Sequence, residues 1–156
     1  MKKEREKIMA KWDKKYFVTE LRDVVGDAPW TPVFADNEAR RLLSLDGEVI
    51  KGAFYMETAW FFPGDWPNKT GSLKSRTIGA HKHEFDETLA WVGTDPKDPY
   101  NLNGEIELWI DGKQNIIDRS FIVFIPAGIE HGPINIRRIE KPMFHFTAGM
   151  GKKYMK

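Results

Sequence analysis

From residue 49 to residue 147 the chain is cut into short strand-like runs by turn residues, and this pattern constrains the fold more than any other. Runs rich in β-branched and aromatic residues occupy 49–62, 75–83, 88–92, 105–110, 116–124, 134–139 and 143–147, residues that suit a pleated, half-buried surface. Between them stand Pro63-Gly64-Asp65, Gly93-Thr94-Asp95-Pro96, Asn103-Gly104, Asp111-Gly112 and Ala127-Gly128, all of which carry turn chemistry. Many short strands joined by tight turns leave no room for helical crossovers, so the pattern predicts an all-β barrel or sandwich rather than βαβ units. Ahead of this region the sequence reads differently. Residues 37–43 (NEARRLL) predict one or two helical turns, broken by Asp46-Gly47. In residues 2–15, Ile8, Met9 and Trp12 have the spacing of one face of a short helix, and 16–21 read as extended. The division expected is an N-terminal arm over 1–48 and a barrel over 49–156.

Composition narrows the function. With 156 residues, 41% of them hydrophobic, the chain has material for one core. It has no Cys, which removes disulfide frameworks, thiolate zinc sites and cysteine nucleophiles together, so any metal must be held by nitrogen and oxygen. Its 24 Lys and Arg stand against 23 Asp and Glu, a net charge of +1, which argues against nucleic acid as a partner. The first 23 residues hold eight basic and five acidic side chains, whereas 81–118 hold three and nine. The start lacks an apolar signal core, and the longest apolar runs, 59–63 and 121–125, fall far short of a membrane span. A soluble, cytoplasmic protein is expected, with no membrane partner. The arm carries Tyr16, Phe17, Val18, Leu21, Val24, Val25 and Trp30, too much apolar surface to leave in water. It is expected to pack on the barrel or on a partner subunit, which motivates a homodimer.

Three of the four histidines fall into two compact motifs. In His81-Lys82-His83 the two imidazoles of an extended segment point to the same face and can converge on one ion. Glu87 follows closely enough to return to that face through a turn or bulge. His131 ends Pro126-Ala127-Gly128-Ile129-Glu130-His131, where a rigid Pro and a permissive Gly bend the chain just before the imidazole.

The string His81-x-His83-(x3)-Glu87, followed by Pro126-x-Gly128-(x2)-His131-(x3)-Asn135, resembles the two signature motifs of the cupin superfamily. The runs His83-Glu84-Phe85-Asp86-Glu87, Gly104-Glu105-Ile106-Glu107 and His131-Gly132-Pro133 are similar to a group of small single-domain cupins. The resemblance covers roughly 49–147 and implies a double-stranded β-helix, a jelly-roll-like barrel with a metal inside. It implies His81, His83, Glu87 and His131 as ligands, with Asn135 in the last place of the second motif. Ser75 and Ser120 stand where the motifs open with glycine, and the closing glycine comes one residue early, at Gly93. Three neutral imidazoles and one carboxylate around a divalent ion leave a charge near +1 and, in an octahedral site, two open positions. Without soft ligands the set suits Mn, Fe, Co, Ni or Zn. The function implied is an enzyme using the ion as Lewis acid on a small oxygenated metabolite, of isomerase or lyase type. A metal-dependent dioxygenase and a non-catalytic small-ligand-binding cupin are the alternatives.

Other side chains are candidates for the site. His145 alternates with Phe144 and Phe146 and is a candidate active-site acid or base, its ordinary pKa being near 6.5. Tyr55, Trp60, Arg76 and Trp91 lie on runs flanking the motifs and are candidates to line a substrate pocket, Arg76 as an anion clamp. Glu105 and Glu107 share one strand face with Trp109 while Ile106, Leu108 and Ile110 share the other, so the glutamates are expected to be solvated or paired across strands.

Overall fold

The computed structural model describes residues 13–21, 36–66 and 79–151. Among them are eight strands and no helix: β1 (Ala39–Leu45), β2 (Tyr55–Phe61), β3 (Glu87–Gly93), β4 (Asn101–Ile110), β5 (Lys113–Arg119), β6 (Phe121–Ile125), β7 (His131–Ile139) and β8 (Met143–Gly149). They form a five-stranded sheet in the order β1-β2-β8-β3-β6 and a three-stranded sheet in the order β5-β4-β7, and every pairing is antiparallel. The chain is all-β, as expected.

Alternation decides which side chains turn inward. On β2 these are Tyr55, Glu57, Ala59 and Phe61; on β8 they are Met143, His145, Thr147 and Gly149. Facing them, β4 contributes Leu102, Ile106 and Leu108, and β7 contributes Ile134, Ile136 and Ile139. One buried cluster draws on both sheets, with Phe61, Leu89, Trp91, Ile106, Leu108 and Met143 among its members, so the sheets share a single core between their inner faces.

The two sheets meet closely at Gly93. A Cβ there would overlap the Asn101 carbonyl oxygen and come within 2.9 Å of its carbon, so the glycine is required by the backbone crossing it. Ser120 fastens the same corner. Its hydroxyl accepts from the Gly93 amide at 2.9 Å and donates to the Pro99 carbonyl at 2.7 Å. This serine also ends β5 and begins the turn into β6, so the single run expected over 116–124 is two strands belonging to different sheets.

Other expectations are corrected. The helical turns predicted over 37–43 are instead β1, an edge strand paired to β2 with a bulge between Arg41 and Leu43; sheet pairing overrides the helix propensity of Ala, Arg and Leu. Residues 46–54 are not strand. Asp46 folds them into a turn, its Oδ1 accepting from the Glu48 and Val49 amides at 2.8 and 3.0 Å, the Asx geometry of a loop. Asn103-Gly104 lies inside β4 as an irregularity with Asn103 at φ 52, whereas Asp111-Gly112 does make the β4–β5 hairpin turn, at φ 49 and 72. In the arm, Tyr16 and Phe17 donate to the Asp13 carbonyl in a turn, and 17–21 form no strand. The helix expected over 2–15 falls almost entirely outside the described residues. No helix among the described residues is long and apolar enough to cross a membrane.

Candidate metal centre

The segment that enters β3 and the loop that enters β7 are sewn together by the backbone. His81 and His131 exchange amide-to-carbonyl hydrogen bonds, both 2.9 Å. The His83 carbonyl accepts from the Gly128 amide at 2.8 Å, and Asp86 Oδ1 accepts from the Ala127 amide at 2.9 Å. Gly128, at φ +82, takes a conformation that side chains disfavour, and so turns the chain back toward His131. These contacts bring all four expected ligands together: one ligand atom from each of His81, His83, Glu87 and His131 lies within 4.8 Å of the others. His83, Glu87 and His131 are buried, and His81 is half-buried.

The hydrogen bonds also set the imidazole tautomers. His81 Nδ1 lies 2.7 Å from the Gly79 carbonyl and His131 Nδ1 lies 3.0 Å from the Ile129 carbonyl. A carbonyl can only accept, so in both rings Nδ1 carries a proton and Nε2 is the nitrogen turned to the centre, where in His131 a second proton, donated to Glu87, stands in the place an ion would take. Nε2 of His131 comes 2.8 Å from Glu87 Oε2, and Nε2 of His83 comes 3.5 Å from the same oxygen. His83 is held by Phe85, stacked at 4.6 Å and 10°. Phe85 in turn fills the space above Gly149, where a Cβ would sit 2.8 Å from its Cδ2. Three imidazoles and a carboxylate, turned inward with their ligand atoms converging, fit a divalent transition metal.

Thr147 completes the carboxylate's surroundings. Its hydroxyl donates to Glu87 Oε1 at 3.1 Å, which leaves Oε2 directed at the imidazoles. Burial pushes the Glu87 carboxyl up, but hydrogen bonding to His131 and His83 outweighs it and brings the group to about 2. In His131 burial pulls the imidazole down, and its bond to Glu87 more than compensates, so it is raised. Burial lowers His81, consistent with a neutral ligand. Removing a hydrogen bond behind a ligand typically costs 10- to 100-fold in metal affinity. Thr147→Val, which keeps the shape and loses the donor, is expected to weaken the metal by about that factor in competition with a chromophoric chelator; an unchanged affinity would remove Thr147 from the site.

The remaining candidates separate. His145 lies on the same inner face as Thr147, two residues away, at the level of Trp91 rather than of Glu87 on the neighbouring strand. Its Nδ1 donates to the Ala90 carbonyl at 2.8 Å, and its ring packs on Trp91 at 4.3 Å and on Phe61 at 5.9 Å. Burial pulls it down to about 4, the Ala90 bond offsetting only part of the effect. It is therefore neutral at pH 7, with Nε2 as the nitrogen that can take a proton. Tyr55 and Trp91 are buried on the inner face. Trp60 is not: it stands on the outer face of β2, edge-on to Phe144 at 5.3 Å, because strand alternation gives the inward places to Glu57, Ala59 and Phe61. Arg76 lies outside the described residues. Glu105 and Glu107 face outward. Arg137 reaches both, at 2.7 and 3.4 Å, and Glu107 also accepts from Trp109 and Asn135, so Asn135 braces the outside of the three-stranded sheet. Sequence reasoning missed Thr147, and it missed Arg41 and Glu57, a buried ion pair on the inner face of β1 and β2. The signal for Glu57 was its parity with Tyr55, Ala59 and Phe61.

The lowered His145 makes stability depend on pH. The unfolded imidazole takes a proton near 6.5 and the folded one only near 4, so its contribution is fully present above pH 6.5 and is lost as pH falls toward 4, by about 3 kcal/mol at most. Urea unfolding of chelator-treated protein is expected to show this loss. His145→Asn, which keeps a donor for Ala90 but does not titrate, should show a flatter profile; equal slopes would reject the assignment.

No family model and no curated protein matches the chain. Solved structures do. They include cupins. An oxalate oxidase in complex with glycolate is 14% identical over 93% of this chain and 64% of that one, with a TM-score of 0.49. A predicted oxalate decarboxylase from Thermotoga maritima is 18% identical over 72% and 77%, TM-score 0.44. An RmlC-like cupin from Shewanella frigidimarina is 12% identical over 86% and 96%, TM-score 0.43. The chain thus spans 64% of the length of the oxalate oxidase it resembles.

Proposed function

We propose that the chain is a metal-dependent cupin that holds one divalent transition metal through His81, His83, Glu87 and His131, and that it acts on a small oxygenated metabolite as an isomerase or lyase. The observation that carries this reading is the convergence of one ligand atom from each of His81, His83, Glu87 and His131 within 4.8 Å, with backbone carbonyls holding Nδ1 of His81 and His131 so that Nε2 is the nitrogen each ring presents. When bound there, the ion supplies a Lewis acid that stabilises negative charge developing on a ligand oxygen. The protein's own part is to keep Glu87 ionised, to orient it through Thr147, and to surround the ligand with a dry interior in which His145 Nε2 is the neutral base. The test is a panel of hydroxy-acids and keto-sugars incubated with metal-loaded protein and followed by NMR. A rearranged or dehydrated product supports the reading; consumption of dissolved oxygen identifies a dioxygenase instead; a raised melting temperature with no product identifies a binding module.

We read the protein as a cytoplasmic homodimer joined through its arm. Tyr16, Phe17 and Leu21 are 68%, 47% and 41% exposed, apolar surface that a partner subunit would cover. Tyr16→Glu with Phe17→Glu is expected to shift sedimentation from dimer to monomer; a wild-type monomer would end this reading.

A further inference from the structure

The metal centre does not use the buried polar groups of β1 and β2. Arg41 and Glu57 form an ion pair in which Glu57 is 1% exposed and the Arg41 side chain 14%. Ser44, opposite Glu57 in the register, lies 3.5 Å from Arg41 Nη2, and Tyr55 is buried two residues away on the same face. A pair of this kind is a poor stabiliser, because desolvating both ions offsets most of their attraction and apolar replacements are often neutral or better. Its place in the fold suggests another use. Glu57 lies opposite Thr147 and Tyr55 opposite Gly149 on β8, which on its other side sets Gly149 opposite Glu87; Thr147 itself donates to Glu87. Glu57 therefore stands on the same inner face as the metal ligand Glu87, two strand spacings away, about 10 Å between strands, and two residues along, with Arg41 one strand further out on β1.

Charge and hydrogen bonding then specify a ligand. One divalent ion, one ionised carboxylate and three neutral imidazoles sum to +1 at the metal, while at the other end Arg41 is met by Glu57 and by the charge of the buried Asp46. A single negative charge on the ligand neutralises the metal end, whereas a second carboxylate would meet Glu57 in a poorly screened site. A hydroxyl suits the pair, since it can donate to Glu57 and accept from Arg41 at once.

Building on the metal reading above, we propose that the Arg41–Glu57 pair is a second recognition point, selecting monocarboxylic acids that carry a hydroxyl beyond the α-carbon. The acid end and its α-hydroxyl lie at the metal and the distal hydroxyl on the pair. Sites built to hydrogen-bond a hydroxyl discriminate strongly against the analogue lacking it. Glycerate and lactate differ by that one group, gluconate extends the reach, and malate adds the second charge.

The experiment is calorimetric titration of Zn²⁺-loaded wild-type protein, its metal content checked first by elemental analysis, with these four acids. Glycerate or gluconate should bind at least about tenfold more tightly than lactate, and malate should bind more weakly than both. Arg41→Met with Glu57→Met removes both charges at similar volume. That variant should keep its circular dichroism and its metal but lose the preference to within about threefold. Should it not fold, Glu57→Gln serves under the same criterion. No preference in metal-bound wild type, tighter binding of malate, or a preference that survives in the folded variant overturns the proposal and leaves the metal reading intact. Absence of metal from reconstituted wild type overturns both.

Discussion

Replacing His81 and His83 together by alanine is expected to abolish metal binding while leaving the β-sheet signal in circular dichroism. Elemental analysis should find about one equivalent of a transition metal in wild-type protein and none in the variant. The expectation rests on where the ligands sit. His81 and His83 lie on a segment outside the eight strands, held by backbone bonds to His131 and Gly128 that do not involve the imidazoles, so their side chains can be cut back without opening a sheet. Glu87 and His131 belong to β3 and β7 and would remain 2.8 Å apart as a hydrogen-bonded pair, two donors where four are needed. The second readout is thermal. A ligand that binds only the folded state at a thousandfold excess over its Kd adds about 4 kcal/mol, which for a domain of this size corresponds to roughly 10 °C in Tm. Metal should therefore raise the wild-type Tm by about that amount and leave the variant's unchanged. No metal in wild type after reconstitution with Mn, Fe, Ni and Zn would overturn the metal centre.

The largest loss of stability is expected at Gly93 rather than in the site. A Cβ there meets the carbonyl group of Asn101, and it also comes 3.2 Å from the Leu102 Cα. These are backbone atoms of a strand, which cannot rotate away as a side chain can, so the two sheets would have to part. Overpacking of one methylene costs about 1–3 kcal/mol in a core, and displacing backbone at a sheet junction belongs to the exceptional class above about 4 kcal/mol. Gly93→Ala is expected to lose at least that much by urea unfolding, and Gly93→Val not to fold. Gly64→Ala provides the control. Among the described residues its Cβ would meet only the Trp66 ring, at 3.6 Å, ordinary contact, and its effect should stay within about 0.5 kcal/mol. Equal effects at the two positions would show that the sheets are not joined as described.

The four ligands were legible in the sequence because their order and spacing resemble the two cupin motifs: a strand-like His-x-His, a carboxylate shortly after, and a further imidazole after a Pro-x-Gly bend. The rest of the interior was not. Glu57 sits in YMETAWF, where its inward direction depends on the strand starting at Tyr55, and that start is set by Asp46 folding the preceding residues into a turn. Read as one run from 49, the strand gives no register against its neighbours. Arg41 was hidden for a related reason. ARRLL has good helix propensity, and only pairing with β2 makes it a strand and turns Arg41 toward Glu57. Thr147 was counted as the end of a strand, but its meaning lies sixty residues away in sequence, at Glu87, a distance over which local pattern has no reach. Ser120 shows the opposite case. It departs from the cupin pattern, yet its hydroxyl ties the same corner that Gly93 makes possible.

The stitching of His81 to His131 and of Asp86 to Ala127 has a kinetic meaning. The residues joined lie 50 and 41 apart in the sequence, and the strands that carry Glu87 and His131 belong to different sheets. Contacts that close loops of this length form late, after the entropy of bringing the ends together has been overcome. Interactions absent from the folding transition state act on the rate of unfolding rather than on the rate of folding. An ion held across the seam is thus a clasp: the barrel closes at the same speed with or without it, and it opens more slowly once it is in place.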